Sequence, residues 1–290
     1  MNTHIPTLLQ REWMQHKRGW LIAALTPPLL FLALLLIPKA TVQGLPTEHL
    51  SLTALGIVGI STMTVYGICL LFGMFQLPGL TRRDTQDRSI EFWLSLPGRP
   101  SESVAATVLA HGWLAPLGGL LAGAVLGVPL AAAIIAKQTG LDGAMSVHWG
   151  EVVIAGLPVL LRVVAGSLLA LLWLLPVIAT LMAASAWLKR LGVPLVLVGG
   201  SVAVVLLKKV YDIGWPAQAL ESLAQQIGKT LVHHNVRLVE TLQSGDNLAT
   251  WALRDFGGAL AELASLQFLG WTAVAAAGFA LVVAKRARGG

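Results

Sequence analysis

Cysteine is nearly missing from this chain: one residue, Cys69, occurs among 290. No disulfide can form within the chain, and a lone thiol inside an apolar run reads as a small core residue. Charge is scarce as well. Only 12% of the residues are charged and 56% are hydrophobic, against about 25% charged in a soluble domain, so the composition is that of a polytopic membrane protein. The net charge of +6 does not point to nucleic acid, because Lys and Arg gather at the ends of apolar runs, where they act as topology signals. There is no repeat, no low-complexity tract and no small-residue cleavage site after the first apolar run, which is therefore read as a retained span.

A helix crosses the hydrocarbon core with about 20 apolar residues. Six runs meet that length, at roughly 19–37, 51–78, 104–136, 152–187, 193–211 and 266–284. The fourth has no turn cluster to divide it and reads as one long helix kinked at Pro158 or Pro176. The fifth is short before Lys208 and Lys209, whose side chains can snorkel while the helix continues. With both termini on the cytoplasmic side, the inner segments carry Arg11, Lys17, Arg18, Arg82, Arg83, Arg88, Arg99, Lys189, Arg190, Lys285, Arg286 and Arg288. The two short outer loops carry only Lys39 and Lys137. This asymmetry fixes the expected orientation.

Between the second and third runs lies DRSIEFWLSLPGRPSE, from Asp87 to Glu102, in a cytoplasmic loop over 79–103. Ile90, Trp93, Leu94 and Pro97 are three to four residues apart, which predicts a stubby amphipathic helix with Asp87 as N-cap and Pro97-Gly98 as its stop. Such a segment either lies on the headgroups with Phe92 and Trp93 as interfacial anchors or docks into a groove of a soluble partner. The N-terminal stretch IPTLLQREWMQHKR places Ile5, Leu8, Leu9 and Trp13 on one helical face, which predicts an interfacial helix over 1–18.

These residues resemble those of the ABC type 2 permeases, the membrane subunits of bacterial ATP-binding-cassette exporters. The resemblance is carried by a signature of the form RS..FW.SLP after the second span. It implies that Arg88, Ser89, Glu91, Phe92, Trp93, Ser95, Leu96, Pro97 and Glu102 form the region contacting an ATPase subunit, and that residues 1–18 form an elbow helix along the inner leaflet. Gly98 and Pro100 depart from the family pattern, where small or hydroxyl residues are common. The resemblance further implies two ATPase subunits, which bind ATP and magnesium, and a second permease copy, giving a homodimer in the bacterial inner membrane. Composition adds lipid as the surroundings and a hydrophobic or amphipathic cargo.

Other chemistry finds little support in the sequence. Gly228-Lys229-Thr230 imitates the end of a P-loop, but the glycine required five residues earlier is Leu223. The chain has no nucleotide site of its own by this reading, and no cofactor. His233 and His234 are adjacent, so on a helix they diverge by about 100° and lack a third ligand. His49, His111 and His148 read as isolated, and no metal site is expected. A serine protease motif fails because Gly59-Ile60-Ser61 is followed by Thr62.

Arg162 is the one charge deep in an apolar run. A charge at such depth costs about 2.5–3.5 kcal/mol and marks either a transport path or interprotomer contact, or a buried pair or a snorkelling side chain. The external segment 212–265 has two amphipathic pieces, from Leu220 to Leu242 and from Leu248 to Leu260. They either rest on the headgroups or each other, or cap the exit of a path.

The expectation is thus a single all-α permease domain over 1–290. It has six spans, the interfacial helix, the cytoplasmic coupling helix and the external helices between spans five and six. The alternative is a membrane-embedded enzyme acting on a lipid through Arg162 and a rim histidine.

Overall fold

The computed structural model describes residues 5–37, 49–86 and 99–288, and every regular element among them is helical. Four long helices build the body: α1 (Ile5–Leu35), α2 (Leu50–Gln86), α3 (Pro100–Ser146) and α4 (Trp149–Leu188). A further helical stretch, α5 (192–210), leads to α6 (Trp215–Leu231), α7 (Asn235–Ser244), α8 (Leu248–Ala261) and α9 (Leu266–Ala287). Five segments among the described residues are long and apolar enough to cross a membrane.

The separate span expected at 193–211 is the second arm of the fourth segment, Trp149–Val210. At 62 residues that segment would reach about 93 Å if straight, and it is not straight. Lys189 adopts φ 55°, ψ −126° and ends α4, and Gly192 then sits so close to the Ala184 carbonyl that a Cβ would collide with it. The chain doubles back there. No residue of Gly200–Val210 is buried. The α4 helix itself runs unbroken through Pro158 and Pro176, in agreement with the single long helix read from the sequence.

The elbow helix is not a separate element. Residues 5–35 form one rod, because packing continues across the expected junction: Gly19 lies against the Phe72 ring and Trp20 is buried with Ala110 and Ala115. The inward face also differs from the apolar face read in the sequence. Glu12 is 3% exposed, while Trp13 is 47% exposed.

Helices α2 and α3 pack most closely. Gly119, Gly123 and Gly127, four residues apart, form one stripe on α3, and a Cβ on each would meet Cys69, the Ser61–Thr62 backbone and Val58 respectively. Small residues at this spacing let two membrane helices approach backbone to backbone. Ser61 then donates to the Gly123 carbonyl at 3.0 Å. Near its C-terminal end α3 bends at Gly140, whose φ of 83° and ψ of 173° belong to a region open almost only to glycine.

The segment 212–265 has three helices rather than the two expected, with a break at 232–234. It runs along the flank of α4: Ile227 joins the Leu171–Leu174 cluster, and Leu231 and Val232 join Val163 and Tyr66. Gly245, at φ 73°, closes α7, and the Asn247 side chain accepts from the amides of Ala249 and Thr250 to start α8. Replacing Asn247 by Ala is expected to cost about 1 kcal/mol, read as faster amide exchange at Ala249 and Thr250.

Candidate functional site

The deep cation of α4 is fully enclosed by protein. Arg162 donates from Nε to Asp255 Oδ2 at 2.9 Å and from Nη1 to the Thr230 carbonyl at 2.9 Å, while Nη2 lies 3.5 Å from the Asp255 carbonyl. Its guanidinium carbon stands 5.5 Å from the centre of the Phe256 ring. The side chains of the pair are 0% and 3% exposed. Gly166, one turn on, has no room for a Cβ beneath the Thr230 carbonyl, which is what lets α6 approach this near.

Asp255 performs a second task. Its two oxygens accept the backbone amides of His233 and His234 at 2.9 and 2.8 Å. These amides would otherwise continue a helix past Leu231, so the carboxylate explains the break that periodicity did not show. Burial first, and then the neighbouring His234, hold His233 below the ordinary imidazole value. The two rings stand edge to face at 4.4 Å.

A second polar cluster lies between α1 and α3. Glu12 Oε1 accepts from Arg11 at 2.6 Å and from the Thr107 hydroxyl at 3.0 Å. Its other oxygen, Oε2, lies 3.4 Å from His16 Nδ1 and 3.4 Å from His111 Nε2. His111 is 0% exposed, carried inward on the π-helical turn Ala110–Leu114, and its carbonyl packs against Gly73 of α2. Wide turns of this kind recur at functional positions. His16 Nδ1 also lies 3.1 Å from the Glu12 carbonyl, and the rings of His16 and Trp20 stand 4.6 and 5.0 Å from that of His111.

His111 is therefore not isolated, as its sequence neighbourhood suggested. The sequence reading passed over Glu12 and His16 altogether, although their spacing of four was visible. Their partner His111 is 99 residues away, beyond any local signal. Asp255 and Thr230 were missed as partners of Arg162 for the same reason.

Of the residues assigned to ATPase contact, Arg88, Ser89, Glu91, Phe92, Trp93, Ser95, Leu96 and Pro97 lie outside the described residues. Glu102 is described. It stands in the first turn of α3, behind Arg99 in an extended conformation and Pro100 at the first helical position. An apolar cavity of about 530 Å³ opens between α2, α3 and α4, floored by Gly56 and Gly59 and closed on one side by Leu238, Val239 and Leu242 of α7.

Five long apolar helices and a core built on helix contacts define a helical, polytopic membrane protein. Comparison of the chain with protein-family models, curated proteins and solved structures finds no match.

Proposed function

We propose that the chain is the membrane subunit of an ATP-binding-cassette transporter of the type 2 class, lying in a bacterial inner membrane with both termini cytoplasmic. The observation that carries this reading is the sequence DRSIEFWLSLPGRPSE between α2 and α3, with its Phe-Trp pair and its likeness to the permease signature. The fold supports it mechanically. Because α2 ends at Gln86 and α3 begins at Pro100, a force on residues 87–99 acts on two helices held backbone to backbone at Gly119, Gly123 and Gly127.

In this reading a separate ATPase subunit, present in two copies with ATP and magnesium, docks on Arg88 to Pro97. Closure of the ATPase pair tilts α2 and α3 together. Two copies of the permease enclose the path, and the apolar cavity under α7 suits a hydrophobic or amphipathic cargo on its way out. Arg162 contributes by holding α6 and α8 against α4 beside that cavity. A lipid enzyme using Arg162 is less well supported, since its nitrogens face Asp255 and Thr230.

The test is co-purification with ATPase subunits from the same source, comparing wild type with Phe92→Ala/Trp93→Ala. The wild type is expected to retain an ATPase and stimulate its hydrolysis, and the double variant to lose both, with an unchanged gel-filtration profile. An ATPase that binds neither protein, or both equally, would remove the support for this reading.

A further inference from the structure

We infer that Glu12, His16 and His111 form a binding site for one zinc ion, with the ion joining α1 to α3. The three residues offer one carboxylate and two imidazoles, a donor set that zinc takes in tetrahedral sites with a fourth position left open. Their ligand atoms all lie within 4.8 Å of one another. Two of the separations are more specific than that. His16 Nδ1 and His111 Nε2 are each 3.4 Å from the same oxygen, Glu12 Oε2. A charge-assisted hydrogen bond between such groups settles at about 2.7–2.9 Å. Two ligands bound to one tetrahedral zinc at about 2.0–2.1 Å stand about 3.3 Å apart. The observed spacing is long for hydrogen bonding and matches an edge of the zinc tetrahedron.

The carboxylate of Glu12 has its outer contacts in place. The second carboxylate oxygen, Oε1, is occupied by Arg11 and Thr107, which leaves Oε2 as a single ligand atom of fixed direction. His16, whose side chain is 11% exposed, is the least enclosed of the three. Zinc uses the His16 tautomer protonated on Nε2, so that Nδ1 exchanges its contact with the Glu12 carbonyl for the metal.

The experiment uses the full chain in detergent with its affinity tag removed, stripped by chelator and titrated with zinc against a chromophoric competitor. The wild type is expected to bind one zinc per chain with Kd below about 1 µM, to keep it through gel filtration, and with cobalt to show the strong visible bands of a tetrahedral site. His16→Gln, which changes a part-exposed side chain, should weaken binding at least about 10-fold and lose those bands. His111→Gln should do the same where it folds, and His233→Ala/His234→Ala should bind as wild type does. Equal zinc binding by wild type and His16→Gln, loss of the ion in the His233/His234 variant instead, or no retained zinc in the wild type would each overturn the inference. Neither nucleotide nor an ATPase enters the measurement, so it stands apart from the transporter reading.

Discussion

Arg162→Ala is expected to destabilise the protein by about 3–5 kcal/mol, the usual consequence of removing one member of a buried ion pair. The loss comes mainly from what is left behind. Asp255 would remain at 3% side-chain exposure with the amides of His233 and His234 and, at 3.8 Å, the His234 ring as its remaining partners. Asp255→Ala should cost a similar amount, since it strands the guanidinium and frees both amides at once. The double change Arg162→Leu/Asp255→Leu should cost less than the sum of the two single changes, with a coupling of about 0.5–3 kcal/mol. It should not return to wild type, because the two amides still lack an acceptor. Reversible unfolding in detergent against rising SDS gives the four free energies. Strict additivity would show that the pair does not interact as described.

The second large effect separates two glycines five residues apart on one helix. Gly123→Ala places a methyl 2.9 Å from the Ser61 carbonyl oxygen and the Thr62 Cα, atoms of a backbone that cannot rotate away. The α2 and α3 helices must part, at a cost of about 1–3 kcal/mol, and the Ser61 bond to the Gly123 carbonyl weakens with them. At Gly118 a Cβ meets nothing within 4 Å. Gly118→Ala should therefore gain helix propensity alone, up to about 1 kcal/mol. The same SDS titration reads both variants. A stabilising Gly123→Ala would mean that the two backbones are not in contact there.

The outlines of α2, α3, α4 and α9 were legible because about 20 consecutive apolar residues leave little alternative to a spanning helix. The sequence was less informative where a boundary depends on another part of the chain. Residues 1–18 read as a separate interfacial helix from their own periodicity, yet Trp20 and Gly19 continue the packing into the span. The repeat from Leu220 to Leu242 read as one helix, and Asp255 divides it by drawing off the amides of His233 and His234. The glycine stripe at 119, 123 and 127 was visible in the sequence, but its partner surface on α2 was not.

By itself the sequence determined that this is a helical membrane protein and where most of its long helices lie. Only the tertiary structure decided which face of each helix meets protein. In water an apolar stripe marks the buried face, but in lipid the outward face is apolar too, so hydrophobic periodicity no longer distinguishes the two. The polar contacts that do distinguish them, Arg162 with Asp255 and Glu12 with His111, join residues 93 and 99 positions apart. They exist only once the helices have settled into register.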